Sequence, residues 1–220
     1  KLASSIDGEV LFKNVNLNLA KGDKVVVYSK DSRATTAFYE ILNGKQNALE
    51  GKYEWGVTTN QSYLPVDNQE FFDNELTLVD WLRQYAKTEQ EREEVYLRGF
   101  LGKMIFSGEE ALKTSNVLSG GEKVRCMLSR MMMQRANVLM FDEPTNHLDL
   151  ESITAINNSL KNFKGTILLT TSDHEFAQTV GNRIVELTPK GAIDRYLTFD
   201  EYMNDPKIKE QREQMYAVKA

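Results

Sequence analysis

An α/β fold with a mainly parallel sheet covered by helices on both sides is predicted by three observations. Short uninterrupted apolar runs, such as VVV at 25–27 and VLMF within 137–142, have the pattern of strands buried on both faces. These runs alternate with stretches of helical spacing. The 220 residues are 41% hydrophobic, enough for a sizeable buried core.

Residues 10–19 alternate loosely and carry Phe12, Val15, Leu17 and Leu19, as a half-buried strand does. The turn KGDK (21–24) leads into an apolar strand over 25–28. Residues 34–43 have helical spacing and stop near Gly44. The stretch GKYEWGVTTNQSYLP (51–65) is predicted to hold two short strands around a turn. From Leu76 the character changes, and residues 76–106 place Leu78, Leu82, Tyr85, Val95, Phe100 and Leu101 at helical intervals. Thr77 is a candidate cap, with Asp80 three residues on. The cluster KTEQEREE (87–94) reads as a solvated helix face. The α/β pattern resumes with helix 120–135, strand 137–142, helix 151–162 and strands 165–171 and 182–188. The closing stretch 205–219 reads as a mildly basic helix beginning after Pro206.

A net charge of −5 with mixed signs argues against a stand-alone nucleic-acid binder, and no direct nucleic-acid site is evident. No run of roughly 18 apolar residues occurs, so no membrane segment is predicted. A basic-then-apolar leader is also missing. The single cysteine, Cys126, excludes an internal disulfide framework, reads as a buried hydrophobe and suits a cytoplasmic location. The chain opens with Lys1 and runs almost at once into a strand, which reads as a fragment of something longer.

Two motifs carry chemistry. NVLMFDEPTNHLD (137–149) brings Asp142 and Glu143 to the carboxyl end of a hydrophobic strand, where open α/β sheets bind ligands. One carboxylate there can hold magnesium and its neighbour can polarise a water. LSGGEK (118–123) sets two glycines before a helix, leaving backbone N–H groups open to an anion, with the Ser119 hydroxyl beside them. Alone, a glycine pair before a helix is usually a turn. Ahead of FDEP it gains meaning.

LSGGE and VLMFDEPTNHLD closely resemble the signature and Walker B/D-loop motifs of ATP-binding cassette (ABC) ATPases, and DEPTNHLD resembles the ABC-F subfamily. The likeness runs from about Gly8 to about Tyr202, and the chain reads as the second, C-terminal cassette of a bacterial ABC-F protein. It implies a P-loop NTPase fold with a RecA-like core, a small antiparallel β-subdomain and a helical insert at about 76–133. The cassette would span 1–205, followed by the start of a helical extension over 206–220.

The departures from the family concern its own nucleotide pocket. A Walker A motif, G-x-x-x-x-G-K-[ST], falls here on Ser29, Lys30, Asp31, Ser32, Arg33, Ala34, Thr35 and Thr36. Both glycines are gone, Thr35 replaces the lysine, and only the hydroxyl at Thr36 is kept. Ser29 and Ala34 resist positive φ, and Asp31 sets a negative charge near any phosphate. Lys30 and Arg33 are the candidate substitute cations. Ser172 stands at the switch histidine's place in TTSDHEF, with His174 a surface helix-start residue, and Val66 replaces the Q-loop glutamine. The segment SSIDGEV (4–10) offers no aromatic to stack on adenine.

The resemblance therefore implies Glu143 as catalytic base, Asp142 and Thr36 as metal ligands, and Thr35 and Thr36 as remnants of the nucleotide loop. Ser119, Gly120, Gly121, Glu122 and Asp149 would serve ATP and magnesium in trans, at a composite site with a partner cassette. Persistence of Asp142 and Glu143 leaves slow hydrolysis or a structural use of the pair open. The longer protein would be an ATPase acting on the ribosome, with this segment alone inactive or very weak. The alternatives are the ATP-binding subunit of a membrane transporter, or an interaction module that no longer binds nucleotide.

Overall fold

Strands that read as unbroken apolar runs do so because both of their faces are covered. In the structure, a computed structural model that describes residues 2–6 and 8–217, the chain opens with an antiparallel pair, β1 (Leu2–Ile6) and β2 (Glu9–Val15). A second sheet takes β3 (Lys24–Tyr28), β4 (Gln61–Leu64), β5 (Val138–Asp142), β6 (Thr166–Thr170), β7 (Arg183–Thr188) and β8 (Gly191–Arg195) in the order β4-β5-β6-β3-β7-β8. All pairings in it are parallel except the antiparallel β7–β8 edge. Leu139, Phe141, Ile167 and Leu169 enter the core on one face. Val25, Val27, Met140, Leu168 and Val185 enter the core on the other. Each such side chain contributes about 1.5–3 kcal/mol when fully buried.

Helix α1 (Ser32–Leu42) covers the second of these faces through Ala37, Phe38 and Ile41, together with Phe12 and Val15 of β2. The first face carries α2 (Leu78–Arg83), α3 (Glu94–Lys103), α4 (Gly120–Met133), α5 (Leu150–Lys161) and α6 (His174–Val180). Thr77 caps α2, its hydroxyl accepting the Asp80 N–H at 3.2 Å. Trp81 is fully buried, stacks on Phe72 at 5.0 Å and donates its indole N–H to the Phe71 carbonyl at 2.7 Å. The chain closes with α7 (Phe199–Asn204) and α8 (Pro206–Tyr216). Asp205 caps α8 by accepting the N–H groups of Lys207 and Ile208, and Pro206 is the first helical residue rather than the residue before it.

Two expectations are corrected. Of the two strands expected within 51–65, only β4 forms among the described residues, where β5 offers it a parallel ladder from Gln61↔Val138 to Leu64↔Phe141. The helical run over 76–106 is broken between α2 and α3, with a short 3-10 turn at Gln90–Arg92 inside the solvent-facing charged cluster. In the small sheet, Asp7 and the Ile6 side chain lie outside what the structure describes, as do residues 218–220 of the expected extension. Cys126 is buried. Among the described residues no helix is long and apolar enough to cross a membrane.

Candidate functional site

Pairing of β5 with β6, and of β6 with β3, brings three strand ends together: Tyr28, Asp142 opposite Thr170, and the residues that follow each. The loop 29–31 joins β3 to α1 at this edge. No residue from 29 to 36 adopts positive φ, so the backbone does not curl into a nest of converging amides. Three of its donors are already engaged. Lys30 N–H donates to the Tyr216 hydroxyl at 3.1 Å, Asp31 N–H to Ser29 Oγ at 3.2 Å, and Arg33 N–H to Asp31 Oδ1 at 3.0 Å.

Its cations are engaged as well. The Arg33 guanidinium meets Asp31 Oδ2 at 2.7 Å and Glu9 Oε2 at 3.1 Å. The Lys30 ammonium stands 4.6 Å over the Tyr216 ring. Neither replaces the missing lysine. Thr35 is only 2% exposed, and its hydroxyl donates to the Ser32 carbonyl at 3.0 Å. Although expected beside Thr36, it presents nothing to the loop's outer side.

Thr36 does reach the carboxylate edge, donating its hydroxyl to Asp142 Oδ2 at 2.7 Å. Burial, with Glu143 and Glu40 nearby, pushes the Asp142 carboxyl up to about 6 against the pull of that hydrogen bond. Glu143 sits at φ 52°, strained for a side-chain-bearing residue. Its Oε2 accepts from both the N–H (2.9 Å) and the hydroxyl (3.2 Å) of Ser172, the residue at the switch position. His174 starts α6 on the surface and pairs with Asp200. Beside Thr36, a cavity of about 340 Å³ is lined by Glu40, Asp67 and Glu70 against one lysine, Lys45, with Val66 where a glutamine was sought. Among the described residues no group of three or more metal-ligating side chains is arranged to hold a metal. With three of its amides bonded, Arg33 paired and no positive φ, the loop 29–36 does not fit a triphosphate, whereas Thr36 and Asp142 stay together.

At the start of α4 two glycines follow a capping serine. Ser119 and Gly120 are exposed. Ser119 Oγ accepts the Glu122 N–H at 3.2 Å and the Glu122 carboxylate accepts the Ser119 N–H at 3.2 Å, a closed capping box. Against the effect of burial, Lys113 together with the Ser119 N–H and hydroxyl holds the Glu122 carboxyl below its ordinary range. Lys113 Nζ holds Glu122 Oε2 at 2.9 Å. Gly121 is buried, and a Cβ there would meet Ser152 Oγ at 2.7 Å, so packing against α5 demands glycine. A Cβ on Gly120 would meet nothing within 4 Å. Asp149 is exposed and caps α5 through the Ser152 N–H at 2.8 Å.

Glu122 and Asp149 thus serve their own helix starts, and residues 119–122 form one surface apart from Thr36, Asp142 and Glu143. Sequence reasoning missed Tyr216 and Glu9, whose contacts come from distant elements and leave no local pattern, and Lys113, nine residues before Glu122 and outside any helical spacing. A larger apolar hollow of about 810 Å³, between the ends of α3 and α4 and the flank of α5, holds none of the predicted site residues.

Residues 12–146 match the family described as ABC transporter. The chain is 49% identical, over 98% of its length, to the "Uncharacterized ABC transporter ATP-binding protein YkpA" of Bacillus subtilis (strain 168), covering 40% of that protein. It is 34% identical, over 94% of its length, to the "Probable ATP-binding protein YbiT" of Escherichia coli O157:H7, covering 39% of it. Similarity of 25% over 86% of the chain extends to "ABC transporter F family member 5" of Arabidopsis thaliana, covering 27% of it. The chain therefore spans about 40% or less of these relatives. Among solved structures, the dimeric bacterial ABC transporter cassette MJ0796 superposes with a TM-score of 0.69 at 21% identity, over 89% of this chain and 95% of that one. This likeness concerns the fold.

Proposed function

Because this chain belongs to the ABC transporter family of ATP-binding cassettes, we propose that it is the nucleotide-poor member of a cassette pair. Its role is to lend residues 119–122 to an ATP held by another cassette. The observation that carries this reading is Gly120: an exposed glycine at a helix start, with nothing within 4 Å of a Cβ there, beside the exposed Ser119. A helix start kept free of side chain at Gly120 suits an approaching phosphate. The solved relative MJ0796 is a dimer of such cassettes.

In this reading the Ser119 hydroxyl and the amides at the start of α4 hold the γ-phosphate of the partner's nucleotide, and Asp149 lies on the same interface. Closure depends on the γ-phosphate and relaxes once it is lost. The chain's own loop contributes no step. TNHLD and the relative named for the F family favour an ABC-F protein, and action on the ribosome is what the resemblance to that subfamily implies. A second reading, the ATP-binding subunit of a membrane transporter, is favoured by the name borne by the B. subtilis relative. Co-sedimentation with ribosomes, against recovery in a membrane fraction, separates the two.

The central test is turnover. The isolated cassette is expected to show negligible ATPase activity, and Ser119→Ala or Gly120→Ala to remove most turnover from a protein holding both cassettes. Robust magnesium-dependent hydrolysis by the isolated cassette, removed by Glu143→Gln, overturns the proposal.

A further inference from the structure

Helix α8 is polar on nearly every side, with Lys207, Lys209, Glu210, Gln211, Glu213 and Gln214 along its eleven residues. Such a helix is marginal by itself and has no wide apolar stripe to dock by. It is nevertheless anchored along its length. Near its start, Ile208 is buried among Phe199, Tyr202 and Ile193. In the middle, the fully buried Glu186 of β7 accepts Arg212 Nε at 2.6 Å and the Tyr202 hydroxyl at 2.7 Å. The Arg212 guanidinium lies 5.6 Å over the Tyr28 ring, at the last residue of β3. Lys190 Nζ donates to the Gln214 carbonyl at 2.9 Å. At the end, Tyr216 donates its hydroxyl to the Leu187 carbonyl at 3.2 Å and accepts the Lys30 N–H at 3.1 Å.

Two loop groups that would otherwise be offered to a phosphate converge on this one side chain: a backbone amide following the first strand of the parallel core, and an ammonium over the ring. Burial and the Glu186 carboxylate hold the Tyr216 phenol well above its ordinary range, so it stays protonated and keeps both bonds.

We infer that α8 is the internal ligand of the rebuilt loop: Tyr216 takes the amide and the cation that a phosphate would need, and the strap fastened through Arg212 and Glu186 keeps anions out. The device goes beyond the proposed role of residues 119–122 and makes no use of them. Its consequence is that the loop's ordered state depends on a helix far away in sequence.

Nuclear magnetic resonance on the 220-residue chain tests it. In the wild-type chain, the Lys30 amide proton is expected to show a cross-peak to the Tyr216 ring, and inorganic pyrophosphate at millimolar concentration is expected to leave the 29–33 resonances unmoved. Tyr216→Phe keeps the ring and removes the acceptor. It should speed hydrogen exchange at the Lys30 amide about tenfold, the equivalent of one lost hydrogen bond, without changing exchange at Val26. A missing cross-peak, unchanged exchange in the variant, or pyrophosphate shifts across 29–33 in the wild-type chain would each overturn the inference. None of these readouts involves turnover or residues 119–122, so the strap and the trans role stand or fall separately.

Discussion

Changing Gly121 to alanine drives a methyl group into the seam between α4 and α5. The new Cβ would stand 2.7 Å from Ser152 Oγ and 3.2 Å from Ser152 Cβ, and Ser152 is fully buried. Overpacking of this kind costs about 1–3 kcal/mol. The helix preference of alanine over glycine returns up to about 1 kcal/mol. A net loss of roughly 0.5–2 kcal/mol is expected for Gly121→Ala. At Gly120 no atom stands within 4 Å of the new Cβ, so Gly120→Ala should stay within about 0.5 kcal/mol of the parent. Denaturant unfolding followed by circular dichroism measures both.

Ser152 Oγ has no hydrogen-bond partner, so Ser152→Ala removes the closest clash without breaking a bond. The double change should therefore be milder than the sum of the singles by about 1 kcal/mol. Equal losses at the two glycines would show that Gly120 is demanded by its own fold, and the observation behind the proposed function would go with it. A harmless Gly121→Ala would refute the packing reasoning instead.

Further outcomes follow from other contacts. Asp142 rises from 3.8 to about 6 on folding, so its proton linkage favours the folded chain below pH ~4 and that contribution is lost as pH rises through about 6. Asp142→Asn should flatten this part of the stability–pH curve and gain about 1–3 kcal/mol at pH 7, read from denaturation midpoints at pH 4 and pH 7. Arg212→Ala strands the Glu186 carboxylate, fully buried and with Oε2 already lacking a partner. A loss of about 3–5 kcal/mol is expected, and a loss under ~1 kcal/mol would mean that water or another cation reaches the site. Thr77→Ala removes the α2 cap and should cost about 1 kcal/mol, whereas Thr77→Ser should cost little.

The parts of the molecule legible in sequence were those fixed by local rules. Apolar runs marked β3, β5, β6 and β7 because each is covered on both faces. Thr77 was readable as a cap position, since capping depends on residues three apart, whereas Ser119 was read only as a donor to an anion and also caps α4. The absence of glycine from 29–36, and of lysine from position 35, could be seen directly, but not what had replaced them. Arg33 is neutralised by Glu9 from β2, and Lys30 is turned onto Tyr216 from the last helix. Such partners meet only when the sheet is assembled. The missing strand in 51–57 has a similar cause, because whether an extended segment pairs depends on which strand edge lies beside it. Edge strand β8 and helix α7 carry short, mixed patterns and gave no periodic signal.

The self-saturated loop has a consequence for how the chain can change over time. Restoring a lysine at position 35 alone would place an ammonium where the present side chain is 2% exposed. Restoring glycine at 29 or 34 would leave Arg33 tied to Asp31 and the Lys30 amide held by Tyr216. No one of these changes is expected to reopen the cradle, because each leaves the other contacts in place, so several simultaneous changes would be needed. Single revertants should accordingly remain blind to pyrophosphate.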